Sequence, residues 1–283
     1  TMTDIANRVA FITGAGGGLG AGIARALAAE GASLALVDIN SSLLAERKAE
    51  FDELGVPCET RTIDISDAEA VNAATIDLTA RLGPITLCIN NAGVGYVGAP
   101  LDEVPLRDLE WVFAVNVMGV FNCLRALVPA MRHAPRGGHI VNIASIDAFA
   151  AEEDLHHAPY CASKAAVVML SEGLRNDLRG TGIGTTVVCP GLVRSALPFS
   201  ARNRPERFGG TYARAGADAF ATEMAQSGMD PDMAGRIVTE AIKQSRELVF
   251  THPELGERLA LRQASINEAL EWSAGIRVAI GKP

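Results

Sequence analysis

Residues 8–20 read RVAFITGAGGGLG, and this stretch decides the fold. Its first six residues form an apolar run typical of a buried strand, and a helical pattern begins at Leu19. The glycines between them allow a tight turn whose backbone N–H groups can bind a pyrophosphate at the positive end of the helix. A glycine-rich run could equally be a flexible loop, but its position between the first strand and the first helix favours a dinucleotide site.

Strand and helix patterns alternate along the rest of the chain. Apolar runs rich in Val, Ile and Leu predict strands at residues 8–13, 33–38, 58–63, 85–90, 139–143, 183–189 and 247–251. Helical periodicity predicts helices at residues 19–30, 42–54, 67–82, 106–131, 159–178 and 232–245, with Ser41 and Asp67 as N-caps. This alternation predicts an α/β fold of the Rossmann type: a doubly wound, seven-stranded parallel sheet with helices on both faces.

The chain is predicted to form a single domain over residues 1–283, because no linker or change in composition divides it. Two segments depart from the regular alternation. Residues 193–230 form an irregular insertion that we interpret as a substrate lid, and residues 253–283 form a helical extension.

Composition disfavours several other roles. The net charge of −8 argues against a nucleic-acid partner, which would need clustered Lys and Arg. By inspection, no apolar stretch reaches the roughly 20 residues that span a bilayer, so we expect no membrane partner. The five cysteines are scattered, which predicts free thiols in a reducing cytoplasm, and the Cys and His spacings predict no metal site.

The predicted second strand ends at Asp38. A carboxylate there can accept hydrogen bonds from the adenosine ribose and would repel a 2′-phosphate. The next residues, Ile39 and Asn40, offer no cation to bind such a phosphate. The sequence therefore favours NAD over NADP, although Asp38 could instead only cap the helix that follows.

Tyr160 and Lys164 lie four residues apart on a predicted helix, which places them on one face about one turn apart. A neighbouring ammonium favours the phenolate form of a tyrosine, so Tyr160 could exchange a proton with an alcohol oxygen. Because this spacing also arises by chance, the interpretation depends on the motifs around it.

Several motifs occur together and in one order. The glycine loop is followed by Asp38, Asn90-Asn91-Ala92-Gly93, Asn116, Ser145, Tyr160-Cys161-Ala162-Ser163-Lys164 and Pro190-Gly191. Over about residues 5–252 this pattern resembles the short-chain dehydrogenase/reductase family. Two features depart from the family: Ser195 replaces its usual threonine, and the interval from Ser145 to Tyr160 is about two residues longer than is common.

The resemblance implies a role for each matching residue. Tyr160 would be the catalytic acid and base, Ser145 would hold the substrate oxygen, and Asn116 would support a proton-relay water. Lys164 would bind the nicotinamide ribose and lower the pKa of Tyr160. The implied cofactor contacts are Gly14, Gly17, Gly18, Leu19, Gly20, Asp38, Ile39, Asp64, Ile65, Asn91, Ala92, Gly93, Tyr160, Lys164, Pro190, Gly191, Val193 and Ser195.

The expected activity is an NAD-dependent interconversion of a secondary alcohol and a ketone. Loops at the carboxyl ends of the strands supply an apolar set of candidate pocket residues, namely Tyr96, Ile146, Phe149, Leu192 and Leu197, which favours a bulky hydrophobic or aromatic substrate. These side chains could instead pack the lid onto the body. The arginines of the insertion, Arg202, Arg204 and Arg207, could bind a substrate anion or form a solvated charged lid.

The insertion and the extension are similar to those of bacterial family members that oxidise benzylic alcohols of lignin-derived aryl ethers. Two alternatives stay open: an NADPH-dependent ketoacyl reductase, which Asp38 disfavours, and a non-catalytic nucleotide-sensing protein, which the retention of Ser145, Tyr160 and Lys164 disfavours. The resemblance also implies a homo-oligomer, either a tetramer or a dimer, because the helices matching residues 106–131 and 159–178 pair across subunits in the family.

Overall fold

Seven strands form one parallel sheet in the computed structural model, which describes residues 3–152, 155–213 and 216–281. The strands are β1 (Val9–Thr13), β2 (Ser33–Asp38), β3 (Cys58–Thr62), β4 (Ile85–Asn90), β5 (Gly138–Ile143), β6 (Ile183–Cys189) and β7 (Leu248–Phe250). Their spatial order is β3-β2-β1-β4-β5-β6-β7. Strands β1 to β3 extend the sheet in one direction and β4 to β7 in the other, so the strand order reverses between β1 and β4. The predicted doubly wound sheet is confirmed, with strand ends shifted by at most a residue.

Helices cover both faces of this sheet. They are α1 (Gly18–Ala29), α2 (Ser41–Glu53), α3 (Ala68–Leu82), α4 (Leu106–Phe113), α5 (Gly119–Met131), α6 (Ala158–Asp177), α7 (Ala217–Ser227), α8 (Pro231–Lys243) and α9 (Gly256–Ala279). One apolar cluster joins the sheet to α3, α5 and α6, and a second joins the opposite face to α1, α2 and α8. The two layers leave a crevice at the carboxyl ends of β1 and β4, where such folds bind ligands.

Two details of the helices differ from the sequence prediction. The N-cap of α2 is Asn40, whose side chain accepts hydrogen bonds from Ser42 and Leu43, and not Ser41, which is the first helical residue. Asp67 caps α3 as predicted. The segment predicted as one helix over residues 106–131 is interrupted by a π-helical turn, Ala114–Met118, and such turns are frequent at functional sites.

The continuous helical segment Leu106–Met131 is long and apolar enough to cross a membrane by composition alone. More than half of its most apolar stretch is nevertheless buried inside the fold, against α3 and the sheet. The expectation that no segment reaches this length was therefore wrong, because a helix that packs in a protein core can be as apolar as one that crosses a membrane.

The insertion begins and ends where Val193 pairs with Met229 in a short bridge. Between them the chain forms two 3-10 turns, Leu197–Asn203 and Glu206–Phe208, and helix α7. Beyond β7, helix α9 projects from the body, and every residue from 260 to 281 is exposed.

A buried arginine fastens the insertion to helix α4. The Arg204 guanidinium pairs with Asp108 at 2.7 Å and lies between the rings of Trp111 and Tyr212. Because Arg204 is only 5% exposed, it is neither a solvated lid charge nor free to bind a substrate anion.

Candidate active site

The glycine loop is held to the end of β4 by hydrogen bonds. The Thr13 hydroxyl accepts hydrogen bonds from the backbone N–H groups of Asn91 and Ala92, both at 3.0 Å. The side-chain amide of Asn91 also donates to the carbonyls of Thr13 and Gly14. Gly14 has φ +63°, and a Cβ there would lie 2.8 Å from the Cα of Ala92. Only glycine satisfies both requirements, so the loop has one permitted path.

Gly20 serves packing and does not line the crevice. A Cβ on Gly20 would lie 2.2 Å from the carbonyl oxygen of Gly14, so its lack of a side chain lets α1 approach the loop closely. Gly17, Gly18 and Leu19, at the start of α1, line the crevice, where the N–H groups of a helix terminus can bind an anion.

Asp38 braces the loop from the other side. Its carboxylate accepts one hydrogen bond from the backbone of Gly16 and another from that of Asn40, both at 2.9 Å. Since Asn40 itself caps α2, Asp38 is not the helix cap that the alternative interpretation required. The Asp38 carboxylate lines the crevice at the end of β2, where the sequence placed it.

Asp64 also lines the crevice but is already engaged. One carboxylate oxygen accepts hydrogen bonds from the backbone and hydroxyl of Ser66, and the other pairs with Arg207 of the insertion at 2.7 Å. Arg207 therefore ties the insertion to the edge of the sheet, and its charge is compensated within the protein.

A single cavity of about 730 Å³ joins the glycine loop to Ser145, Tyr160 and Lys164. Every predicted cofactor contact except Gly20 lines this cavity. Ser145 lies just after β5, while Tyr160 and Lys164 lie one turn apart on α6, so the sheet and one helix together bring the three side chains to the same wall.

Lys164 is a buried cation, 4% exposed, whose ammonium donates to the carbonyl of Ile143 at 3.0 Å. It lies 5.7 Å from the centroid of the Tyr160 ring. Burial disfavours its charged form and lowers the pKa of Lys164 to about 8. The amine can therefore lose its proton near physiological pH.

Burial shifts the pKa of Tyr160 in the opposite direction. Desolvation of the phenol raises its pKa well above the ordinary value, the Asp147 carboxylate raises it further, and a hydrogen bond with Ser145 lowers it. Lys164 is not among the largest contributions to this pKa shift. The lowering by Lys164 that the family resemblance implied thus stays a prediction.

Asn116 lies on the π-helical turn and is 1% exposed. Its side-chain amide accepts a hydrogen bond from the N–H of Val94, donates to the carbonyl of Val94 and donates to the hydroxyl of Ser163. The Asn116 side chain does not line the cavity. It connects the loop after β4 to α6, next to Lys164. The proton-relay water stays a prediction.

The predicted substrate wall is assembled in part. Tyr96, Ile146, Leu192 and Leu197 line the cavity, but Phe149 does not. The 3-10 turn Ile146–Ala148 directs the Phe149 ring against Phe250, with the centroids 5.7 Å apart, so Phe149 belongs to the core. Arg202 lines the cavity mouth, whereas Arg204 and Arg207 are used in ion pairs. Glu153 and Asp154, in the long interval before Tyr160, lie outside the described residues.

Sequence reasoning missed several lining residues: Trp111, Asp147, Phe220, Met224, Leu255 and Arg258. Leu255 and Arg258 come from the C-terminal extension, which no local motif connects with the site. Asp147 offered a weak signal, because a carboxylate two residues after a catalytic serine stands close to it on any turn. Among the described residues, no group of three His, Cys, Asp or Glu side chains is arranged to hold a metal ion.

Comparison with known proteins agrees with this geometry. The family model for short chain dehydrogenases matches residues 8–205. The C alpha-dehydrogenase of Sphingobium sp. strain NBRC 103272 / SYK-6 is 31% identical over 261 residues, which cover 91% of this chain and 85% of that protein. The 1-deoxy-11-beta-hydroxypentalenate dehydrogenase of Streptomyces exfoliatus is 34% identical over 253 residues, covering 89% of this chain and 86% of that protein.

A solved structure is similar over nearly the whole chain. The short-chain dehydrogenase/reductase of Burkholderia phymatum in complex with NAD superposes with a TM-score of 0.89 at 32% identity. The match covers 95% of this chain and 97% of that one.

The burial of Lys164 predicts an unusual effect on stability. Below pH 8 the folded protein must hold a buried charge, whereas between pH 8 and the ordinary value of 10.5 the folded state has lost this proton and the unfolded state has not. This contribution to the free energy of unfolding therefore rises with pH across that window. Lys164→Met should stabilise the protein at pH 7 by roughly 1 to 3 kcal/mol, after the lost hydrogen bond is subtracted.

The stability gain should disappear as the pH approaches 10.5. Urea unfolding of the wild type and of Lys164→Met at both ends of this window measures the difference. A variant that is less stable at pH 7, or a gain that does not change with pH, would contradict the prediction.

Proposed function

This chain belongs to the short-chain dehydrogenase family and is an oxidoreductase, and we propose that it uses NAD to interconvert a bulky hydrophobic secondary alcohol and its ketone. The observation that carries the proposal is the shared cavity, in which Ser145, Tyr160 and Lys164 face the space that begins at the glycine loop. Three groups suited to proton exchange lie beside a loop shaped for a dinucleotide.

The residues present fit a nicotinamide dinucleotide. The glycine loop offers backbone N–H groups at a helix terminus, and the cavity extends from Asp38 to Tyr160 without interruption. Asp38 and the glycines would hold the adenosine and pyrophosphate, and Lys164 would hold the nicotinamide ribose. When bound, the cofactor accepts or supplies a hydride.

The protein's own residues would move the proton. The Tyr160 phenol would donate a proton to the ketone oxygen or accept one from the alcohol, while the Ser145 hydroxyl holds that oxygen by a hydrogen bond. The raised pKa of Tyr160 keeps the phenol protonated in the protein alone. A positive nicotinamide and the Lys164 ammonium would both favour the phenolate during alcohol oxidation.

The cavity supports an apolar substrate. The apolar side chains that line the cavity together with Tyr160 include Tyr96, Val97, Ile146, Leu192 and Leu197. The Streptomyces relative acts, by its name, on a hydroxypentalenate, and the Sphingobium relative is named as a C alpha-dehydrogenase. The name of the Streptomyces relative and the apolar side chains of the cavity support a bulky alcohol.

The decisive experiment measures reduced nicotinamide by absorbance with a panel of secondary alcohols, aromatic and aliphatic, and compares wild type with Tyr160→Phe. Loss of one hydroxyl should leave folding and NAD affinity almost intact, while turnover falls by about 10²- to 10⁴-fold. NADPH-dependent reduction of ketoacyl substrates alone would instead favour the ketoacyl reductase. NAD binding without turnover of any substrate would favour the nucleotide sensor, and near-normal turnover of Tyr160→Phe would refute the mechanism.

Cofactor preference depends on Asp38. In Asp38→Asn/Ile39→Arg the repulsion of a 2′-phosphate is removed and a cation is supplied, while an amide oxygen can still brace the glycine loop. The ratio of kcat/KM for NAD to that for NADP should fall by about tenfold or more. Asp38→Asn alone is the control, and its ratio of kcat/KM for NAD to that for NADP should fall less. Equal use of both cofactors by the wild type would show that Asp38 does not select NAD.

We also propose that the protein is a homo-oligomer, a tetramer or a dimer, in a reducing cytoplasm. The helices expected to pair across subunits expose Met118, Phe121 and Met169, and all five cysteines are free. Light scattering should give a mass at least twice the 29.7 kDa of one chain. Met169→Glu should reduce that mass, while a monomeric wild type would exclude the oligomer.

A further inference from the structure

The C-terminal extension places the guanidinium group of Arg258 beside the candidate active site. Arg258, in the first turn of α9, donates from Nη2 to the Asp147 carboxylate at 2.9 Å and to the carbonyl of Ala150 at 2.5 Å. Both Arg258 and Asp147 line the catalytic cavity. Arg258 belongs to the C-terminal extension and lies beyond residue 205, where the family match ends.

Asp147 connects Arg258 to Ser145 through hydrogen bonds. The Ser145 hydroxyl donates to Oδ2 of Asp147 at 3.2 Å, and the backbone N–H of Asp147 donates to the Ser145 hydroxyl at 3.1 Å. The other carboxylate oxygen, Oδ1, is the one held by Arg258. Since a carboxylate only accepts hydrogen bonds, Asp147 competes with a substrate oxygen for the Ser145 proton, and a cation on its far side weakens that competition.

The ion pair of Arg258 and Asp147 is partly buried. The Arg258 and Asp147 side chains are 27% and 19% exposed, so their charges act on their neighbours more strongly than a surface pair would. Asp147, Cys161 of α6 and Cys189 at the end of β6 all act on the Tyr160 phenol. The Lys164 ammonium lies 5.7 Å from the centroid of the same ring. Asp147 raises the pKa of both Tyr160 and Cys161, while Arg258 lowers the pKa of Cys161.

We propose that Arg258 is a positioning residue for the reaction: by holding Asp147, it orients the Ser145 hydroxyl and offsets the carboxylate charge beside Tyr160. The proposal rests on the alcohol–ketone function proposed above. It makes helix α9 part of the catalytic apparatus, because a displacement of its first turn would release an uncompensated carboxylate beside Ser145.

The test compares pH profiles of kcat/KM for alcohol oxidation in full-length wild type, Arg258→Met, Arg258→Lys and the double variant Arg258→Met/Asp147→Asn. In Arg258→Met the midpoint of the rise with pH should move upward by about one pH unit, because Asp147 then acts unopposed on Tyr160. The KM for NAD should change less than about twofold, since the pair lies beside the substrate oxygen. Arg258→Lys should recover most of the shift, and the double variant should return the midpoint to or below that of the wild type.

Two variants guard against a purely structural explanation. Arg262→Met removes an exposed arginine from the same helix and should leave the profile unchanged. Asp147→Asn alone should lower the midpoint, which provides a reading even where Arg258→Met does not fold. An unchanged midpoint in Arg258→Met, or no recovery in the double variant, would overturn the proposal while leaving the proposed function intact if the wild type is active.

A second readout needs no turnover. Cys161 is the one cysteine that is not buried, so its alkylation by iodoacetamide can be followed by peptide mass spectrometry. At a fixed alkaline pH the reaction should slow in Arg258→Met, because the thiolate fraction falls, and should recover in the double variant. An alkylation rate unaffected by Arg258→Met would count against the charge coupling, whether or not the enzyme oxidises the alcohols tested.

Discussion

The fastening of the glycine loop to the end of β4 is the interaction on which the site depends. Asn91 donates to Thr13 from both its backbone and its side chain across the point where the strand order reverses, so the two halves of the sheet meet in one fixed geometry. The crevice at this point, outside the carboxyl ends of the strands, is where doubly wound sheets bind their ligands. Asp38 adds a second brace through Gly16, which places the loop before any cofactor arrives.

The side chains proposed to act in catalysis are held by buried polar contacts from behind the cavity. Asn116 connects the loop after β4 to Ser163, and Asn142 of β5 donates to Ser171 of α6, so the helix that carries Tyr160 and Lys164 cannot slide along the sheet. Buried polar groups that are fully paired favour one arrangement over its alternatives. The Lys164 ammonium is buried among these contacts, and its lowered pKa shows that burial disfavours its charge. The fold retains a destabilising group where the proposed chemistry needs one.

Charged residues outside the family's motifs attach the variable parts of the molecule to this frame. Arg204 fixes the insertion to α4, Arg207 ties it to Asp64, and Arg258 brings the C-terminal helix against Asp147. Arg207 and Arg258 each hold two partners through Nη2. Arg204 pairs with Asp108 and lies over two aromatic rings. Ion pairs therefore hold the cavity wall both at Asp64, an expected cofactor contact, and at Asp147 beside Ser145.

Local patterns in the sequence were enough to predict the parallel sheet, most of the helices, the glycine loop and Asp38, because each depends on residues close together in the chain or on a helical period. The set of Ser145, Tyr160 and Lys164 came from the resemblance to the family. Neither source predicted that Asn40 caps α2, that a π-helical turn carries Asn116, or that Phe149 packs against the core. The tertiary structure alone decided the contact between Arg258 and Asp147, which are 111 residues apart. No local periodicity records such a contact, since it exists only where the folded sheet brings the C-terminal helix back to the end of β5.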